Sequence, residues 1–244
     1  MAPYNFDAPD TNVILRSSDL KELHVHKLIL TLASPVFGYM FSLPQTTEPP
    51  SEIPTIDVPE SSGILRLFLQ YLYPRSPPKV SDLKMWEALY TTADKYIAEA
   101  VMDSLRDMLI HRFLETSPLR VYALASYWGF KEIAKIACTK TLMIDIFKDF
   151  PEEDAELMGG GACKRLCLLH FNRREAIRGV VANHRLKFSA AYCCPANQTL
   201  RRLVGTKPWL ITDELQKEVY CVNCRSDVDQ YFYSILKGIS KLDE

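Results

Sequence analysis

The residues best suited to chemistry lie near the C-terminus. Cys221-Val222-Asn223-Cys224 is a C-x-x-C pair, with Cys193-Cys194 upstream and His184 and His170 nearby in sequence. Four such ligands could close a tetrahedral zinc site, because thiolate sulfur and imidazole nitrogen suit that ion. Adjacent cysteines make an awkward half-site, however, and a free cysteine is commonly just a small buried apolar residue. Inert core thiols are therefore the default reading, with zinc on Cys193, Cys194, Cys221, Cys224 and His184 left open; no cofactor is expected. A redox role is weaker still, since no βαβ pattern surrounds the C-x-x-C. Cys163 and Cys167, four apart on one helix face with His170 three further on, could also bind metal. Leu166, Leu168 and Leu169 place them inside an apolar helix, which favours packing. His24 and His26 flank Val25 in a strand and share a face. The expected role for His26 is a hydrogen bond holding strand to helix.

Nothing else in the chain supports catalysis. No phosphate-binding glycine loop, nucleophile elbow or H-E-x-x-H pattern is present, and Gly159-Gly160-Gly161 follows Met158 rather than a strand, so it reads as a joint. Between Cys163 and Lys207 stand ten Lys or Arg against one acid, Glu175. That bias could meet nucleic acid or an acidic partner, yet no nucleic-acid motif accompanies it, and nucleic acid is not expected. The whole-chain net charge is only -1, which demands neither a polyanion nor a membrane surface. No apolar run approaches the roughly 20 residues needed to cross a bilayer, and Met1 to Pro9 lacks a basic signal-peptide start. All seven cysteines lie beyond residue 137, an odd number without framework spacing. The expectation is a protein inside the cell, in cytoplasm or nucleus.

Length and pattern set the elements. With 244 residues and 48% apolar composition, the chain can build one large core or two. Asn12 to Arg16 and Leu23 to His26 predict a hairpin, with Leu23 and Val25 facing the core and a turn longer than two residues around Asp19-Leu20. Leu28, Leu32, Val36, Phe37, Met40 and Phe41 are spaced for two short helices, with Ser34-Pro35 as cap and first residue of the second. Leu43 to Pro54, with four prolines, predicts an exposed loop. Ile53 to Val58 offers a brief strand. Ser61-Ser62 then caps an apolar helix that stops at Pro74, and Ser81 to Phe113 predicts two helices in series, counting Ile97 among their apolar positions. Ser117-Pro118 opens a helix ending near Gly129, a further one spans Lys131 to Phe147, and Ala162 to Tyr192 is the longest helical stretch. Helices are also expected from Thr212 and over Asp227 to Lys241.

The segment His24-Val25-His26-Lys27-Leu28-Ile29-Leu30-Thr31-Leu32-Ala33-Ser34-Pro35-Val36-Phe37-Gly38-Tyr39-Met40-Phe41 resembles the diagnostic stretch of BTB/POZ domains. Ile56-Asp57-Val58-Pro59, Leu69-Gln70-Tyr71-Leu72-Tyr73 and Leu89-Tyr90-Thr91-Thr92-Ala93-Asp94-Lys95-Tyr96 follow in the family's order. Met40-Phe41-Ser42-Leu43-Pro44-Gln45 is most similar to fungal members, where a helical half commonly follows. The resemblance implies an α+β fold: a BTB/POZ-like domain over residues 1–113, a small sheet flanked by helices, then an all-α region over 114–244.

For function, the resemblance implies a non-catalytic module that self-associates or recruits partner proteins. Its alternatives are a substrate adaptor of a cullin-based ubiquitin ligase and a transcription or chromatin regulator using residues 163–207. Partner-binding positions carried over are Asn12, Lys27, Met40, Phe41, Leu43 and Gln45. Two of them depart from the family pattern. Asn12 stands where an Asp usually faces the basic residue, so the contact with Lys27 lacks a carboxylate. Gln45 replaces the Glu of the cullin-binding pattern, while Leu43 keeps its apolar residue. The short stretch ahead of the first strand makes a segment-swapped homodimer less expected.

Overall fold

The computed structural model describes residues 6–43, 53–74, 77–142, 144–148 and 150–183. Two compact units divide between Thr116 and Ser117.

In the first unit, β1 (Val13–Arg16) and β2 (Glu22–Val25) pair antiparallel, with Val13 opposite Val25 and Leu15 opposite Leu23. That register puts four fully buried apolar side chains on one face, as the alternation requires. The turn between them runs from Ser17 to Lys21, closed by Ser17 N–H donating to the Lys21 carbonyl at 3.0 Å, with Leu20 at a left-handed φ of 59°. β3 (Thr55–Asp57) lies parallel to β1, giving the sheet order β2-β1-β3. A parallel pair needs a long crossover, here carried by α1 (Lys27–Ala33) and α2 (Pro35–Ser42). On the other edge, Phe6 covers β2: its carbonyl accepts from His24 N–H at 2.8 Å and its buried ring stands edge-on to Tyr73.

The helical layer is α3 (Ser62–Leu72), α4 (Leu83–Lys95) and α5 (Glu99–Met108), the last running into one π-helical turn, Leu109–Phe113. An aromatic column ties the layers together: Phe41, Phe37, Tyr96 and Phe68 stack in sequence with centroids 5.9, 4.4 and 5.5 Å apart. Trp86 is fully buried and donates its indole N–H to the Leu105 carbonyl at 2.8 Å, locking α4 onto α5. Burying so large a ring costs little when its polar tip is hydrogen-bonded.

Three details differ from the sequence reading. Ser61 makes no side-chain cap on α3; Asp19 in the hairpin turn caps it instead, accepting from Ser62 N–H and Ser62 Oγ, both at 2.7 Å. Ile97 is not in a helix: it ends α4 at φ 51° and is 48% exposed. Helical spacing continues across a tight turn, so periodicity alone cannot place that break. Leu28 and Leu32 have helical spacing yet face outward, because Leu30 is the residue of α1 that enters the core.

The second unit, over its described residues, is all helical: α6 (Pro118–Tyr127), α7 (Lys131–Thr141) and α8 (Glu152–Asn183). α6 ends at Gly129, whose φ of 75° lets Phe130 N–H reach back to the Ala125 carbonyl at 2.8 Å. α7 stops six residues short of the expected Phe147, in a series of turns that bury Ile146 and expose Phe147. α8 starts ten residues before the expected Ala162 and is kinked at Gly159, φ 72° and ψ 161°. Leu168 on it is 48% exposed, so the apolar run around the thiols is only partly inside.

α6 is tied to α8 by the half-shielded Arg120, 2.7 Å from the buried carboxylate of Asp154, and by Tyr122 Oη donating to the Ala162 carbonyl at 2.9 Å. A carboxylate this buried is tolerable because its charge is matched at close range. No helix among the described residues is long and apolar enough to cross a membrane. The helices expected beyond Asn183 lie outside the described residues.

Candidate functional site

Ser34 fixes how α1 and α2 present themselves. Its hydroxyl is fully buried, accepts from Phe37 N–H at 3.2 Å to cap α2, and donates to the Tyr96 carbonyl at the end of α4. Pro35 follows at the first helical position, where its missing N–H is not needed. With that corner anchored, Leu30 and Phe37 point inward and are fully buried. The opposite side of the pair is left apolar and open: Leu28 is 67% and Leu32 78% exposed, one turn apart on α1, and Tyr39 of α2 is 69% exposed. Gly38 of α2 faces Thr31 of α1, where a Cβ would be in van der Waals contact with the threonine methyl at 3.4 Å. A short helix that is apolar on both sides has one face for its own core and one for something else.

The start of α1 is held from the strands. Asn12 Oδ1 accepts from Lys27 N–H at 2.7 Å, satisfying one of the unpaired amides at the helix start. The Lys27 ammonium turns to the far end of α2, donating to the Phe41 carbonyl at 3.2 Å and lying 5.3 Å over the Phe41 ring. Asn12 and Lys27 are thus brought together, through the lysine backbone. Phe41 is buried against Phe37, Met40 is half-buried, and Leu43, just past α2, is 47% exposed. Gln45 lies outside the described residues.

His26 sits between β2 and α1. Its N–H donates to Tyr73 Oη at 2.9 Å, its Nδ1 lies 3.0 Å from the same oxygen, and Nε2 is 3.3 Å from Asp10. Tyr73 closes α3, so this histidine ties the strand end to a helix end. His24 shares no partner with it.

The remaining candidate chemistry is in the second unit. Burial pushes the Cys138 and Cys167 thiols up from their ordinary values, keeping them protonated and poor as ligands or nucleophiles. Thr141 Oγ donates to the Cys138 carbonyl at 2.6 Å and lies 3.0 Å from His170 Nε2. With the hydroxyl proton already committed, the ring must donate, which places its proton on Nε2. Burial first, then Arg173, against the opposing pull of Asp145, lowers His170 to about 4. Among the described residues, no three His, Cys, Asp or Glu side chains gather to hold a metal. Cys193, Cys194, Cys221, Cys224 and His184 lie outside the described residues, as does the 184–207 part of the basic stretch. Its first part lies on α8, where Arg178 pairs with Glu175 at 2.5 Å.

Leu28, Leu32 and Tyr39 were not singled out as functional by sequence reasoning. The usable signal was Leu28-Ile29-Leu30 with Leu32, apolar all round a seven-residue helix.

A hairpin, a crossover of two short helices and a parallel third strand beside a helical layer, with an apolar face turned outward, define an α+β protein-docking fold. Residues 7–113 match the family model of the BTB/POZ domain, and this part of the chain is a BTB/POZ domain. Such domains are generally non-catalytic protein-interaction modules. Among solved structures, the BTB domain of zebrafish PATZ1 is similar at 21% identity, covering 40% of this chain and 74% of that one, with a TM-score of 0.32. No curated protein matches the chain.

Proposed function

We propose that this chain is a non-catalytic interaction protein of the cytoplasm or nucleus that self-associates, or pairs with other proteins, through the outer face of α1 and α2. Residues 1–113 act as the docking domain and 114–244 as a helical region with its own surface. The observation that carries this reading is the contrast within one short helix: Leu30 fully buried, Leu28 67% and Leu32 78% exposed. Leaving two leucines and a tyrosine in water forgoes about 1.5–3 kcal/mol per fully buried apolar side chain, a gain that a second protein surface would recover.

Sedimentation of the full chain tests it, alongside Leu28→Asp/Leu32→Asp. The expected result is a concentration-dependent dimer, or a stable complex with a captured partner, that the double substitution dissolves by a hundredfold or more in affinity, on the order of hot-spot losses. Because both positions are exposed, the fold should be preserved. An unchanged assembly in the variant defeats the reading.

A second reading, adaptor of a cullin-based ubiquitin ligase, is favoured by the exposed Leu43 directly after α2. Leu43→Asp should then abolish binding to a cullin N-terminal region while leaving self-association intact. If purified cullin does not bind the unsubstituted chain, this reading fails alone.

A further inference from the structure

The second unit carries a trough of about 750 Å3. Tyr122, Ala125 and Ser126 of α6, with Gly129 just past its end, form its floor. Lys131, Ala134, Lys135 and Cys138 of α7 form one wall, and Arg165 and Leu169 of α8 the other. Both walls pack on α6. The Thr141–His170 bond bridges α7 and α8. Where a further helix would complete a bundle, there is a channel with small residues at its base.

Its charge is one-sided. Lys131 and Lys135 stand one turn apart on α7 and Arg165 faces them from α8; all three are exposed, and no carboxylate is among the described residues that line the trough. The apolar lining comes from Tyr122 and Ala125 at the floor and from Ala134 and Leu169 on the two walls. Apolar base and cationic rims are the complement of one kind of surface: a helix with an apolar stripe flanked by carboxylates.

We infer that the α6–α7–α8 trough is a docking groove for an acidic amphipathic helix supplied by a partner protein. The groove deepens the reading of the chain as an interaction protein by giving its helical region a ligand class. Helix dipole and salt bridges orient the guest, with its carboxylates on Lys131, Lys135 and Arg165 and its apolar stripe over Tyr122 and Leu169.

The test uses the full chain and a synthetic 18-residue helical peptide with leucines at i, i+3, i+4 and i+7 flanked by glutamates, followed by fluorescence anisotropy. The expected result is saturable binding that weakens with added salt. Lys131→Glu/Lys135→Glu/Arg165→Glu should weaken it by about a hundredfold. Ala134→Trp, which fills the trough without changing charge, should weaken it by at least about tenfold. The same peptide with lysines in place of glutamates should not bind. No saturation by about 1 mM peptide, equal binding of the lysine peptide, or binding unchanged by charge reversal overturns the inference. Sedimentation of the same samples reads self-association through α1 and α2 separately, so the groove can fail while that reading stands.

Discussion

Single side chains carry more of this fold than their sequence context suggests. Asp19 reads as an ordinary turn residue, yet its carboxylate accepts two bonds from Ser62, which hold it well below the usual carboxylate range. A depressed carboxyl stabilises the fold above its ordinary pKa and loses that contribution as pH falls through the folded value. Asp19→Ala is expected to lower the melting midpoint at neutral pH by a few degrees, with a difference that begins to shrink below the ordinary carboxylate range and goes on shrinking as the acid is made stronger; thermal melts at neutral pH and down a series of acid buffers check both. His170 works by the same linkage in a different window. Its folded value of about 4 against an ordinary 6.5 means the unfolded chain takes up the proton first. The contribution of His170 to stability is therefore fully present above pH 6.5, falls from there to pH 4, and does not change below. His170→Gln, which can still donate to Thr141, should flatten that slope in melts from pH 7 to 4. Phe37, fully buried between Phe41 and Tyr96, sets the core's scale: Phe37→Ala should cost about 3–5 kcal/mol in denaturant unfolding.

At the scale of elements, two helices end in the same left-handed conformation with different residues. Gly129 closes α6 at φ 75° with nothing near its missing side chain, while Ile97 closes α4 at φ 51° despite a branched β-carbon. The strain at Ile97 is of order 1 kcal/mol, and its side chain is 48% exposed, so little packing offsets it. Ile97→Gly should stabilise the first unit by about 1 kcal/mol and Gly129→Ala destabilise the second by a similar amount, both read from denaturant midpoints. If Ile97→Gly destabilises instead, contacts of the exposed side chain outweigh backbone strain. Helix starts follow a parallel logic. α2 and α4 carry their own caps in Ser34 and Asp82, whereas α3 takes its cap from the hairpin turn and α1 takes an acceptor from Asn12 beside β1. Sheet and helices are thus joined at polar points as well as through the core.

For the molecule as a whole, the chain divides into two compact units between Thr116 and Ser117. If residues 1–116 are an autonomous docking domain, that fragment should melt cooperatively and self-associate as the full chain does; a fragment that is unfolded by circular dichroism would refute the division.

Local signals wrote much of the first unit into the sequence. Alternation in β1 and β2, the Ser34-Pro35 start and the proline stops are near-neighbour effects, and they were legible because the physics that sets them acts within a few residues. The same holds for Leu23 and Val25, which the alternation along the strand sends to one face of the hairpin. What only the tertiary structure decided involves choices among residues of equal character. Leu30 faces the core and Leu28 and Leu32 do not, because the buried Ser34 hydroxyl fixes the rotation of the corner against Tyr96. Asp19 caps a helix 43 residues away, and three cations from two helices line one trough. Those pairings join positions far apart in the chain, and no local preference encodes which distant partner a side chain will meet.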